Sequence, residues 1–179
     1  MRIEERGDKL VIVDFDEFEA YRIACKIEKD GIKFYRKLSG SMKPGEAREL
    51  VEFLVEEERK HLRFFEDCLS AAREKGEDTS EDNDLIASFD FGVFMPYRDM
   101  AELEDVLTDT PKALRLGVAI EDKSIKFYDS CREGVSAVQT REELGSIINE
   151  EKRHKDLLTK MADNLPSGSS EKPKVSRRR

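Results

Sequence analysis

The sequence predicts an all-α protein, a four-helix bundle in which two helical hairpins repeat one another about an approximate two-fold axis and are joined by one long crossover. Three observations predict it. The composition is that of helices: of 179 residues, 40% are charged and 38% hydrophobic, tryptophan is absent, and glycine and proline are few. Apolar positions recur at helical spacing through four long segments. The phrase "IEKDGIKFY", Ile27 to Tyr35, returns 93 residues later as "IEDKSIKFY", Ile120 to Tyr128.

The elements follow in order. "KLVIVDFDEF" is short, apolar and β-branched, and reads either as a lone strand or as the start of a helix. The first helix begins near Asp14 or Asp16, either of which can cap it, and runs to Gly40. The second has Pro44 near its first turn and ends near Gly76, with Leu50, Leu54, His61, Phe65 and Leu69 at helical spacing. Residues 77–109 form the crossover, acidic at first and then apolar over 85–97. A short helix is expected in "RDMAELEDVL". Thr110 and Pro111 open the third helix as cap and first residue, and it ends near Gly134. The fourth runs from Ala137 to Leu165 and is stopped by Pro166. One bundle domain therefore occupies residues 1–165, its halves being 17–76 and 110–165. Residues 166–179 read as a disordered basic tail.

The repeat carries the chemistry. The chain has two histidines, and each follows a glutamate by three residues: Glu58 and His61 in "VEEERKHLRFF", Glu151 and His154 in "INEEKRHKDLL". The 93-residue offset relates these pairs too, and Glu28 and Glu121 on the preceding helices obey it. With this many glutamates, any one histidine has roughly a one-in-seven chance of such a neighbour. Two histidines complying in one register are a different matter. Residues three apart share a helix face, so the symmetry brings four carboxylates and two imidazoles to the bundle centre. Four carboxylates cannot stay ionised together in a dry core without compensation. Two divalent metal ions cancel their charge, and this donor set suits iron or manganese, with zinc as a further candidate. Tyr35 and Tyr128, two turns beyond Glu28 and Glu121, either pack in the core or hydrogen-bond a ligating carboxylate. Glu56, Glu57 and Glu150 read as surface charge, and Phe34, Phe64, Phe65 and Phe127 as core.

The four phrases "IEKDGIKFY", "EEERKH", "IEDKSIKFY" and "NEEKRH" resemble the rubrerythrin branch of the ferritin-like superfamily over residues 17–164. The resemblance implies that Glu28 and Glu121 are terminal ligands of a di-iron site, that Glu58 and Glu151 bridge the two ions, and that His61 and His154 each bind one. It implies that Tyr35 and Tyr128 support those ligands. Two departures stand out. Rubrerythrin proper carries a rubredoxin domain with paired CxxC motifs, absent here, so electrons would come from a separate donor protein. Its third helix also carries an additional glutamate, where the positions one turn either side of Glu121 are Gly117, Val118, Ser124 and Ile125.

A net charge of −8 argues against nucleic-acid binding by bulk electrostatics. No apolar run approaches membrane-spanning length, and "MRIEERGDK" is too charged to open a signal peptide. Cys25, Cys68 and Cys131 are odd in number and widely spaced, which reads as three reduced cysteines. The expected protein is cytoplasmic, a homodimer or larger homo-oligomer, with two iron ions reducing hydrogen peroxide or dioxygen. The alternatives are an iron-binding, ferroxidase or storage protein, and a structural bundle held by metal.

Overall fold

The computed structural model describes residues 2–6, 9–13, 17–74, 106–107, 109–135 and 137–165. Four long helices run through them: α1 (Glu17–Ser41), α2 (Glu46–Glu74), α3 (Thr110–Gly134) and α4 (Val138–Asn164). α1 packs along α2, and α3 along α4. The hairpins meet at wider spacing, α1 against α3 and α2 against α4. This is the ferritin-like bundle of two hairpins that the sequence predicts. Asp14, Asp16, the apolar stretch 85–97 and the tail from 166 lie outside the described residues. At the far end of the crossover Val106 and Leu107 are helical, and Leu107 is buried in the core.

Strand β1 (Arg2–Arg6) pairs antiparallel with β2 (Lys9–Val13), from Arg2 opposite Val13 to Arg6 opposite Lys9. The apolar β-branched run is thus a strand, but one of a pair. Its partner "RIEER" is too charged to stand out as a strand, and Ile3 opposite Ile12 is the one register pair of two apolar residues.

Helix ends follow local chemistry. Gly40 lies inside α1 rather than ending it. The Ser39 and Ser41 hydroxyls donate to Arg36 O and Leu38 O, and Met42 N–H donates to Ser39 O, closing the last turn. The reversal into α2 uses Gly45, whose φ of 154° side chains rarely adopt. On α3 the cap is Asp109 rather than Thr110. Its carboxylate accepts the Lys112 N–H at 3.1 Å, and Pro111 sits in the first turn, where a missing N–H costs nothing.

The core is aliphatic and drawn from every helix: Ile23 and Leu38, Leu54, Leu114, Leu144 and Leu158 are fully buried. Cys25 and Cys131 pack in it as small apolar groups, and all three cysteines are free thiols. Of the phenylalanines expected inside, Phe65 is fully buried, while Phe34, Phe64 and Phe127 cover the core from its edge. None of the described helices is long and apolar enough to cross a membrane.

Two α4 substitutions test this packing. Leu144→Ala, at a site with no exposure, is expected to cost about 2–5 kcal/mol. Val138→Ala, at a site 63% exposed, should stay within about 0.5 kcal/mol. Urea denaturation in a chelating buffer measures both, and equal losses would contradict the core placement.

Candidate metal centre

All six residues singled out by the repeat meet inside the bundle. α1 brings Glu28, α2 Glu58 and His61, α3 Glu121, and α4 Glu151 and His154. None is more than 4% exposed. Their donor atoms form two overlapping sets, each within 4.8 Å: Glu28, Glu58, His61 and Glu151 in one, Glu58, Glu121, Glu151 and His154 in the other. Glu58 and Glu151 belong to both sets, while Glu28 and Glu121 each belong to one. The imidazoles stack across the approximate two-fold with ring centres 5.4 Å apart.

Both histidines turn Nδ1 inward. His61 Nδ1 lies 3.3 Å from Glu151, 3.7 Å from Glu28 and 3.9 Å from Glu58. His154 Nδ1 lies 3.2 Å from Glu151 and 3.5 Å from Glu58. Even so, Glu28 Oε2, Glu58 Oε1 and His61 Nδ1 are buried with no hydrogen-bond partner among the described residues. Buried polar atoms are seldom left so. These orphans ring the space the carboxylates share. Four carboxylates and two imidazoles balance two divalent ions in charge and match their donor preference, so the residues present fit such a pair.

The tyrosines join the cluster by crossing between hairpins. Tyr35 on α1 donates its hydroxyl to Glu121 on α3, and Tyr128 on α3 donates to Glu28 on α1 at 2.5 Å. Both are buried, and burial together with the facing carboxylate raises each phenol pKa. They therefore serve as neutral donors.

Glu57 and Glu150 are not plain surface charge. Glu57 is only 5% exposed and binds Lys60 and, at 2.8 Å, Arg153. Glu150 is half exposed, and its carboxylate stands 3.2 Å from His61 Nε2. Glu56 does stay outside, paired with Arg59. Periodicity alone does not separate the three, because only the helix–helix contact decides which neighbour faces inward. Ser124, one turn beyond Glu121, is buried, and Gly117 lies under Leu158 and Tyr35. A Cβ there would approach Leu158 to 3.1 Å.

A bundle of two hairpins around a buried carboxylate–histidine cluster that can hold metal is a metal-binding protein of the ferritin-like class. The family model described as Rubrerythrin matches residues 19–162, and the chain belongs to the rubrerythrin family. No rubredoxin domain is evident within these residues. No curated protein and no solved structure matches the chain.

Without metal, protons supply the compensation. Burial, then the Glu151 charge, pushes Glu58 and Glu121 well above the usual carboxylate range. Burial alone would lower both histidines. The carboxylates of Glu151 and Glu28 overcome it at His61 and raise it to about 12, and those of Glu151 and Glu58 raise His154 to about 9. Burial would raise Glu151 in turn, but the two histidines hold it well below its ordinary value. The signs then follow. Glu58, Glu121 and both histidines bind protons more tightly folded than unfolded, so their stabilisation is lost as pH rises. For His154 the loss falls between pH 6.5 and about 9. Glu151 runs the other way and loses its contribution only in acid. His154 alone should therefore weaken the metal-free protein across that window by on the order of 3 kcal/mol, and His61, raised further, adds a loss of the same sign. Bound divalent metal, which replaces those protons, should weaken the dependence. Thermal melts at three pH values, with chelator and with manganese, measure this, and a flat midpoint in chelator would contradict it.

Proposed function

We propose that the chain is a di-iron oxidoreductase of rubrerythrin type that reduces hydrogen peroxide to water. The observation that carries the reading is the pair of overlapping ligand sets sharing Glu58 and Glu151, each completed by one histidine and one terminal glutamate. Peroxide reduction takes two electrons and two protons, and two ferrous ions side by side supply the electrons when bound. Glu28, Glu58 and His61 would hold one ion, Glu121, Glu151 and His154 the other, with Glu58 and Glu151 reaching both.

The rest is the work of this chain. Leu54 and Phe65, a turn before Glu58 and a turn after His61, are fully buried, as is Leu158 beyond His154. They keep bulk water from the centre and strengthen every charge interaction within it. Tyr35 and Tyr128 hold one oxygen of Glu121 and of Glu28 by hydrogen bonds, and the second oxygen of Glu28 is left without a partner among the described residues. The re-reduction that follows would need an electron donor other than these residues, which contain no CxxC pair. That same absence favours a second reading, ferroxidase activity, in which ferrous iron is the substrate and brings its own electrons.

Protein purified without oxygen should carry about two irons per chain. Stopped-flow mixing should show faster oxidation by peroxide than by dioxygen, and Glu58→Ala and His154→Ala should abolish the change. Faster reaction with dioxygen, with repeated turnover of added ferrous iron, would favour the ferroxidase. A protein that binds zinc or nothing and ignores peroxide would leave a structural bundle.

A further inference from the structure

We propose that the two metal positions are unequal in affinity, and that Glu150, acting through His61, is the positioning residue that makes them so. The inference rests on the reading above that the cluster binds two metal ions.

The internal repeat supplies the control. The 93-residue offset pairs His61 with His154, Glu57 with Glu150 and Lys60 with Arg153. Strict two-fold symmetry would place a carboxylate behind each imidazole, or behind neither. The structure does otherwise. Both imidazoles present Nδ1 to the carboxylate cluster, so a metal-bound ring must carry its proton on the outward Nε2. At His61 that outward N–H can be donated to Glu150 Oε2, 3.2 Å away. At His154 the outward Nε2 is buried and has no hydrogen-bond partner among the described residues.

Charge pairing accounts for the difference. Lys60 and Arg153 are equivalent in the repeat, and by symmetry each would serve its own glutamate. Instead both converge on Glu57, which is buried between α2 and α4. A carboxylate already holding two cations is turned toward them: Glu57 is near enough to feel the His154 charge but makes no hydrogen bond to its ring. Glu150 is left without those cations, and its carboxylate leans on His61.

A carboxylate behind a ligating imidazole fixes the ring, sets its tautomer and raises its basicity. Losing such a partner costs about 10–100-fold in metal affinity. The His61 position should therefore fill first and hold tighter, and the His154 position should fill second.

Titration of the metal-free protein with cobalt(II) under argon, followed by calorimetry and visible absorption, tests this. The wild type should bind in two resolvable steps. Glu150→Gln should weaken the tighter step by about 10-fold or more and spare the other, with Glu150→Ala weakening it further. Glu150 is half exposed, so neither variant threatens the fold, and Glu56→Gln serves as an exposed control. The double variant Lys60→Met, Arg153→Met frees Glu57 for His154 and should tighten the weaker step. In the cobalt-loaded protein, the exchangeable, contact-shifted Nε2–H proton of His61 should move in Glu150→Gln while that of His154 stays. Two indistinguishable steps in the wild type, or a Glu150→Gln isotherm that matches it, would overturn the inference and leave the metal reading standing. No cobalt binding at all would overturn both.

Discussion

The structure depends on one unfavourable interaction, the mutual repulsion of four carboxylates in an apolar core. Glu28, Glu58, Glu121 and Glu151 are each nearly inaccessible to water, and each lies within reach of at least two others. Burial and repulsion together would expel at least some of them unless positive charge is supplied. Every polar group near the centre answers that demand. The histidines contribute donors and, without metal, protons. The tyrosines contribute neutral hydrogen bonds. Metal ions, when bound, would contribute the charge that the protons otherwise supply only in part. The register of all four helices follows, because a one-residue slip in any of them would remove a ligand and leave the remaining charge unbalanced.

The internal repeat constrains the candidate ligands more closely than their surroundings. The six ligating candidates and the two tyrosines obey the 93-residue offset, but their surroundings diverge. Tyr21 and Phe65 correspond to Leu114 and Leu158. On one side of the centre the rings of Tyr21, Phe65 and Tyr128 therefore follow one another at 6.4 and 5.8 Å, while on the other Leu114 and Leu158 take the places of the first two. Glu57 and Glu150 diverge in partner although both remain glutamate. Duplication of a hairpin accounts for a symmetric ligand set. Separate packing of each half accounts for the rest, since nothing in the charge balance requires the outer layers to match.

That division sets what the sequence could reveal. Ligands bound to a repeat are legible, because two coincident Glu-x-x-His phrases are improbable by chance and the topology then forces them together. Long helices with apolar stripes are legible for the same reason. What escaped depends on tertiary contact. Whether Glu57 is a surface residue or a buried partner of Arg153 is decided by a side chain 96 residues away. Asp109 and Thr110 are both good capping types, and only the chain path selects one. Arg2–Arg6 pairs as a strand through backbone hydrogen bonds that its charged side chains do not announce. The tyrosines lay on the expected face, but a single helix cannot disclose that each reaches to the other hairpin.

This crossing ties the fold to the site. Each hairpin is closely packed within itself, whereas the two hairpins stand farther apart. Direct backbone proximity therefore does less to hold the halves together than to hold each half. Besides the shared apolar core, buried polar contacts span the gap: Tyr35 to Glu121, Tyr128 to Glu28, and Tyr21 on α1 to Thr140 and Glu143 on α4. Neither hairpin contains a complete candidate ligand set, and neither contains the tyrosine that hydrogen-bonds its own Glu28 or Glu121. The centre is thus the interface between the halves as well as their product. Filling it with cations strengthens the contact that assembles it, because the carboxylates of one hairpin and those of the other can then bind the same ions instead of repelling. In such a bundle, metal affinity and hairpin association are one equilibrium seen from two sides.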